Sequence, residues 1–169
     1  MQKGSFTQEF KRYRTESVVR NINALSKYFR EKDWPVIFIQ HDGTSIGNHV
    51  PHTEEWELLD ELNIKDAAIL PKTANDAFYK TQLKELCRTS GVKEVVITGC
   101  ATDFCVAATV QGAINSDLDV TVVSDGHTTS DRPSVSAKDV VDHYNWVWQN
   151  MIPTQSSISV IDTNALLVK

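Results

Sequence analysis

Two periods of apolar spacing run along the chain. Between Glu16 and Lys32, Val18, Ile22, Leu25 and Phe29 recur at steps of four, three and four, which puts them on one face of an amphipathic helix. Pro35 bars further helix. Val36-Ile37-Phe38-Ile39 is then a short β-branched run, the pattern of a strand buried on both faces. His41 to His52 reads as loop, punctuated by Gly43, Gly47 and Pro51. Thr53 to Leu62 opens with a capping threonine and an acidic first turn, which predicts a second helix with Trp56, Leu59 and Leu62 inward. The alternation continues with a strand at Ala67–Leu70, a helix from Phe78 to Thr89 ended by Gly91, and a strand at Val95–Ile97. After these come a helix from Thr102 to Asn115, a strand at Val120–Val123, a helix from Ser134 to Gln149 and a short strand at Ser157–Ile161.

Strands alternating with helices imply parallel βαβ units and a sheet covered on both faces, an α/β fold of three layers. Ligands bind such sheets at the carboxyl ends of the strands. The residues standing just after strands are His41, Lys72, Gly99 to Cys105, and Asp125 to His127. One element is missing from the pattern: the chain enters its first helix without an opening strand, and Met1 to Phe6 is too polar to serve as one.

Composition narrows the field. A chain of 169 residues, 41% hydrophobic and 23% charged, can bury one substantial core, so residues 1–169 read as a single domain. The net charge of −5 with no basic block argues against a nucleic-acid surface, and no apolar run is long enough for a bilayer. The expected partner is therefore a small-molecule substrate, with neither nucleic acid nor membrane. Three cysteines cannot all pair, which favours reduced thiols and a cytoplasmic setting.

The chemistry concentrates at Gly99-Cys100-Ala101-Thr102-Asp103-Phe104-Cys105-Val106, which follows a strand and opens a helix. Cys105 falls in the first helical turn, where unpaired N–H groups and the helix dipole favour a thiolate. From position alone two readings stand: an activated nucleophile, or one more small core residue, as free cysteines mostly are. Lys72 closes a strand at the same sheet end, where a cation could stabilise a thiolate.

Together these segments resemble the isochorismatase-like cysteine hydrolases, which include nicotinamidases, N-carbamoylsarcosine amidohydrolase and streptothricin hydrolase. The resemblance rests on Ala101-Thr102-Asp103-Phe104-Cys105-Val106, on Lys72-Thr73-Ala74-Asn75-Asp76-Ala77-Phe78, and on Val122-Val123-Ser124-Asp125 with Thr128-Thr129. It implies a doubly wound, mainly parallel sheet, Cys105 as nucleophile and Lys72 as its charged partner. It also implies a cis bond between Cys100 and Ala101, an oxyanion hole of the Ala101 and Cys105 amides, no cofactor, and a homo-oligomer. Phe78, Phe104, His41 and Thr102 are the expected substrate-binding residues, and Trp34 is a further aromatic for the pocket. The implied activity is hydrolysis of a small amide or related C–N bond through a thioester. Isochorismate-type hydrolysis is an alternative.

The sequence departs from the family at its start. Met1-Gln2 resembles the tail of the family's Asp-x-Gln motif, whose aspartate would lie one residue before Met1. The expectation is a truncated chain or a start assigned at an internal methionine. An impaired pseudoenzyme or oligomeric binding module is the alternative. His41, Asp42, His49 and His52 occupy the loop where nicotinamidases bind metal, but Asp42 follows His41 and the family's Asp-x-His order is not reproduced, so no metal site is expected.

Overall fold

A computed structural model describes residues 1–168 of the chain. Five strands and five helices follow an N-terminal segment, alternating except that no α-helix separates β1 from β2: α1 (Thr15–Glu31), β1 (Ile37–His41), β2 (Ala68–Lys72), α2 (Leu83–Thr89), β3 (Glu94–Cys100), α3 (Ala107–Ile114), β4 (Asp119–Thr128), α4 (Ala137–Gln149), β5 (Ile158–Ile161) and α5 (Thr163–Leu167). All strand pairs are parallel, β1 with β2 and β3–β4–β5 in order.

Side-chain alternation along β4 sorts the layers. Val120 and Val122 point into a cluster with Val106 and Val110, Leu83 and Cys87 of α2, and Trp148 of α4. Val123 points the other way, against Leu25 of α1 and Leu166 of α5. The sheet is thus covered on both faces, as the apolar runs predict, and Val110, Val122 and Val123 are fully buried.

Between β1 and β3 the sheet is interrupted. The two groups of strands form separate sheets, and a cavity of about 890 Å³ lies between them. Its lining includes consecutive residues of both flanking strands, Val36 to Ile39 and Val92 to Cys100. Successive side chains of a strand face opposite ways, so a cavity touching every residue lies in the plane of the sheet, along the strand edges. Ile22, Leu25 and Phe29 of α1 close one face, and Leu83, Val106 and Thr109 close the other. The space is strand-shaped and apolar, and it opens towards Lys72, Cys100 and Cys105. At the end of β1 a side chain pairs with the strand backbone: the Gln2 amide accepts from His41 N at 2.7 Å and donates to His41 O at 3.0 Å.

Three expectations change. Residues 53–62 are not a helix: after one short turn, Glu54–Trp56, the chain extends. Its backbone is committed elsewhere, since Lys3 N donates to Glu57 O and Leu59 N to Met1 O, and Leu58 bridges Gln2. Leu58 and Leu62 are the buried residues there, while Trp56 and Leu59 are half-buried. Helix α2 starts at Leu83 rather than Phe78, because Thr81 Oγ1 donates to Ala77 O and accepts from Leu83 N, which holds the preceding segment in a turn. The helix expected from Thr102 begins as a wide turn, Thr102–Val106, in which Val106 N reaches Ala101 O five residues back.

Candidate active site

Lys72 ends β2 and is 6% exposed. Its ammonium donates to Ala74 O at 2.7 Å, Asn75 O at 2.8 Å and Cys105 Sγ at 3.1 Å. All three N–H donors are used, and the group has no acceptor capacity. The loop after β2 is folded to supply those carbonyls: Asp76 Oδ1 accepts from Phe78 N, and Ala77 N donates to Thr109 Oγ1 on α3. Cys105 stands in the wide turn after β3, half-buried, with Asn75 Oδ1 3.6 Å from its sulfur. The Cys100–Ala101 bond is cis, as the resemblance implies. The Ala101 carbonyl accepts from Phe104 N and Val106 N, so the turn closes on Ala101.

Two buttresses hold that turn. Asp103 receives Arg132 in a two-pronged pair, Nε to Oδ2 at 2.7 Å and Nη2 to Oδ1 at 2.9 Å, and Thr129 Oγ1 donates to Oδ1 at 2.7 Å. Burial raises the Asp103 carboxyl, but these bonds outweigh it and hold the group below the usual carboxylate range. The second buttress is His127, 2% exposed, bonded to Thr102 Oγ1 at 2.9 Å and to Asn145 Oδ1 at 3.0 Å. Asn145 Nδ2 donates to Ser124 O, which leaves its Oδ1 as the acceptor turned to His127. His127 therefore carries its hydrogen on Nε2 and accepts from Thr102 at Nδ1.

Of the expected substrate residues, the structure brings three to the site's surroundings. His41 ends β1 directly opposite Lys72 in register. Its Nδ1 is buried without a partner, and burial, then the Lys72 charge, lower its pKa below the ordinary histidine value. Phe78 lines the cavity. Phe104 is 50% exposed, with the Arg132 guanidinium 5.0 Å from its ring centre. Thr102 is a correction: it is fully buried and its hydroxyl is held by His127, so its side chain does not face a substrate. Trp34 lies at the far end of the cavity, beside Phe29.

The loop histidines separate. His49 bonds Ser5 and Asn48, His52 leans on Trp56, and Asp42 accepts from Thr44. Among the described residues, no three His, Cys, Asp or Glu side chains gather as a metal-binding group. Burial raises the thiols of Cys87 and Cys100 above the usual range. Sequence reasoning missed Arg132 and Asn145, gave Asn75 no role, and placed His127 after a strand without finding its partners. Asn75 stood within a quoted motif, and Arg132 follows Thr129 by three residues, but nothing linear pairs Arg132 with Asp103.

The split parallel sheet thus brings Cys105 and Lys72 into contact at its carboxyl end. The family model for the isochorismatase domain matches residues 1–157, and the chain belongs to that family. An uncharacterized isochorismatase family protein of Bacillus subtilis (strain 168) is 35% identical over 109 residues, 62% of this chain and 57% of that protein. A streptothricin hydrolase of Streptomyces noursei is 33% identical over 102 residues, 59% of this chain and 40% of that one. The matched part therefore spans well under two thirds of either relative. A cysteine hydrolase from Pseudomonas syringae pv. phaseolicola 1448A shares the fold, with a TM-score of 0.86 at 20% identity, over 99% of this chain and 87% of that chain.

Proposed function

We propose that this protein is a cysteine-dependent hydrolase of small amides or related C–N bonds. The observation that carries the reading is the Lys72 ammonium, its other two donors fixed by Ala74 and Asn75, aimed at Cys105 Sγ. An ammonium with no acceptor capacity placed on sulfur favours the thiolate. The thiolate attacks the carbonyl carbon, and the Ala101 and Cys105 amides hold the oxyanion. The C–N bond breaks, the amine leaves with a proton, and water then releases the acid and regenerates the thiol.

Proton transfer calls for a third group. Among the described residues, no carboxylate hydrogen-bonds Cys105 or Lys72. By the family resemblance that group is an aspartate at the end of a central strand, and the slot between β1 and β3 ends beside both residues. An extended apolar segment seated there and ending in a carboxylate would complete the triad. Because no carboxylate bonds Cys105 or Lys72 among the described residues, the second reading is a catalytically impaired chain.

The test is ammonia release from a panel of small primary amides and N-carbamoyl compounds, with Cys105→Ala as control. Turnover that vanishes in Cys105→Ala supports the hydrolase. No turnover across the panel, with Cys105 unreactive towards alkylating agents, supports the impaired chain.

A further inference from the structure

Among the described residues, the Cys105 sulfur has two hydrogen-bonding contacts, and both come from the end of β2 and the loop that follows it. Lys72 Nζ donates to the sulfur at 3.1 Å, and Asn75 Oδ1 stands 3.6 Å from it. Asn75 meets the lysine as well, since its backbone carbonyl accepts from Lys72 Nζ at 2.8 Å. Ammonium, sulfur and asparagine thus close a ring of contacts. Its members differ in depth: Lys72 is buried, Cys105 half-buried and Asn75 exposed. The lysine therefore backs the sulfur, and the carboxamide lies on its solvent side.

The Asn75 backbone is held in place. Ala74 O and Asn75 O are both fixed by the ammonium, Asp76 Oδ1 accepts from Phe78 N, and Ala77 N donates to Thr109 Oγ1. Two torsions separate that fixed backbone from the carboxamide, so holding it against a ligand costs little entropy. The state of the sulfur decides what the carboxamide does. A thiol can donate to Oδ1, but the thiolate that attacks has no hydrogen to give and leaves Oδ1 free to accept elsewhere. An amide substrate supplies a donor. The amides that receive its carbonyl oxygen belong to the turn after β3, whereas Asn75 belongs to the loop after β2. A carbonyl whose oxygen is held on the first turns its nitrogen towards the second.

We propose that Asn75 is a specificity-determining residue: its Oδ1 accepts the N–H of the scissile nitrogen and selects amides and carbamoyl compounds carrying that hydrogen over esters and N,N-disubstituted amides. This rests on Cys105 being the nucleophile. An ester sets an oxygen lone pair against Oδ1, and a disubstituted nitrogen sets a carbon there, so neither satisfies the acceptor.

Two alkylating reagents of nearly equal shape test it on the full chain. N-methyl iodoacetamide carries an N–H where methyl iodoacetate carries an ester oxygen. In each, the Cys105 sulfur forms the S–C bond as iodide leaves, and peptide mass spectrometry reads the rate at neutral pH. Intrinsic reactivities cancel when the amide-to-ester rate ratio is compared between proteins. Asn75→Ala is expected to lower that ratio at Cys105 about fivefold, the effect of about one neutral hydrogen bond, with the ester rate within about twofold of the parent. Asn75→Asp keeps an acceptor and adds a charge beside the sulfur, so both rates are expected to fall while the ratio stays within about twofold of the parent. An Asn75→Ala ratio that falls less than about twofold, whether or not both rates drop together, overturns the role of Asn75 and leaves the nucleophile intact. An Asn75→Asp ratio as low as that of Asn75→Ala does the same. Slow labelling of the parent by both reagents overturns the nucleophile and the proposal with it. If Asn75→Ala opens the buried Cys87 to labelling, Asn75→Leu, similar in shape and without a polar side-chain atom, is read in its place against the same limits.

Discussion

Replacing His127 with phenylalanine keeps an aromatic ring against Trp148, 5.2 Å away between ring centres, but removes both ring nitrogens. Two groups then lose their partners, the buried Thr102 hydroxyl and the half-buried Asn145 Oδ1. At about 1–3 kcal/mol for each unsatisfied group, the cost is about 2–6 kcal/mol. That is a large share of the roughly 5–15 kcal/mol that holds a domain folded. For a chain of this size it corresponds to a fall of about 5–20 °C in melting temperature, read by circular dichroism at pH 7.5. The pH dependence supplies a second signature. Burial holds the His127 pKa below the ordinary value, so the folded protein keeps this ring neutral while the unfolded chain takes up a proton below about pH 6.5. The stabilisation is therefore complete above about pH 6.5 and is lost as pH falls towards the folded-state pKa, with a slope of up to about 1.4 kcal/mol per pH unit. His41 and His49, also lowered by burial, keep their share, so the variant's slope is shallower rather than flat. His127→Gln, which restores a donor and an acceptor, should recover part of the loss without titrating. A phenylalanine variant that melts within about 2 °C of the parent with an unchanged pH slope would refute the assignment of the Thr102–His127–Asn145 chain.

Two further outcomes follow from the geometry. Asp103→Asn breaks a paired, half-buried charge contact with Arg132 and should cost about 1–3 kcal/mol in chemical denaturation, with Cys105 labelling slowed because its turn loses a support. Adding five β-branched residues and a final aspartate directly before Met1 should fill the slot between β1 and β3. The expected result is a melting temperature higher by about 5 °C or more and faster amide turnover. An extension that lowers the melting temperature would show that the slot does not take a strand.

The parallel α/β architecture was legible because its signal is local. The stepped apolar face of α1, the β-branched runs at β1 and β3 and the glycine after α2 each report on their own neighbourhood. Residues 53–62 misled because a good cap and acidic turn compete there with backbone bonds to Met1 and Lys3, partners more than fifty positions away in sequence. The site divides in the same way. Cys105 and Lys72 were readable from their places after strands and from motif resemblance. Thr102 was misassigned because its hydroxyl is taken by His127, and Arg132 was missed because its pairing with Asp103 exists only once β4 lies beside β3. The strand-shaped cavity between β1 and β3 emerges only when both edges are seen together.

The central claim is that Lys72 makes Cys105 a nucleophile. The most direct measurement is the rate of iodoacetamide labelling of Cys105, Cys87 and Cys100 against pH, by peptide mass spectrometry, in the parent chain and in Lys72→Met. The expected result is rapid labelling of Cys105 at neutral pH with Cys87 and Cys100 protected, and a fall of about tenfold or more at Cys105 alone in Lys72→Met. Equal Cys105 rates in the two proteins, or a Cys105 no faster than an ordinary exposed thiol, would contradict it.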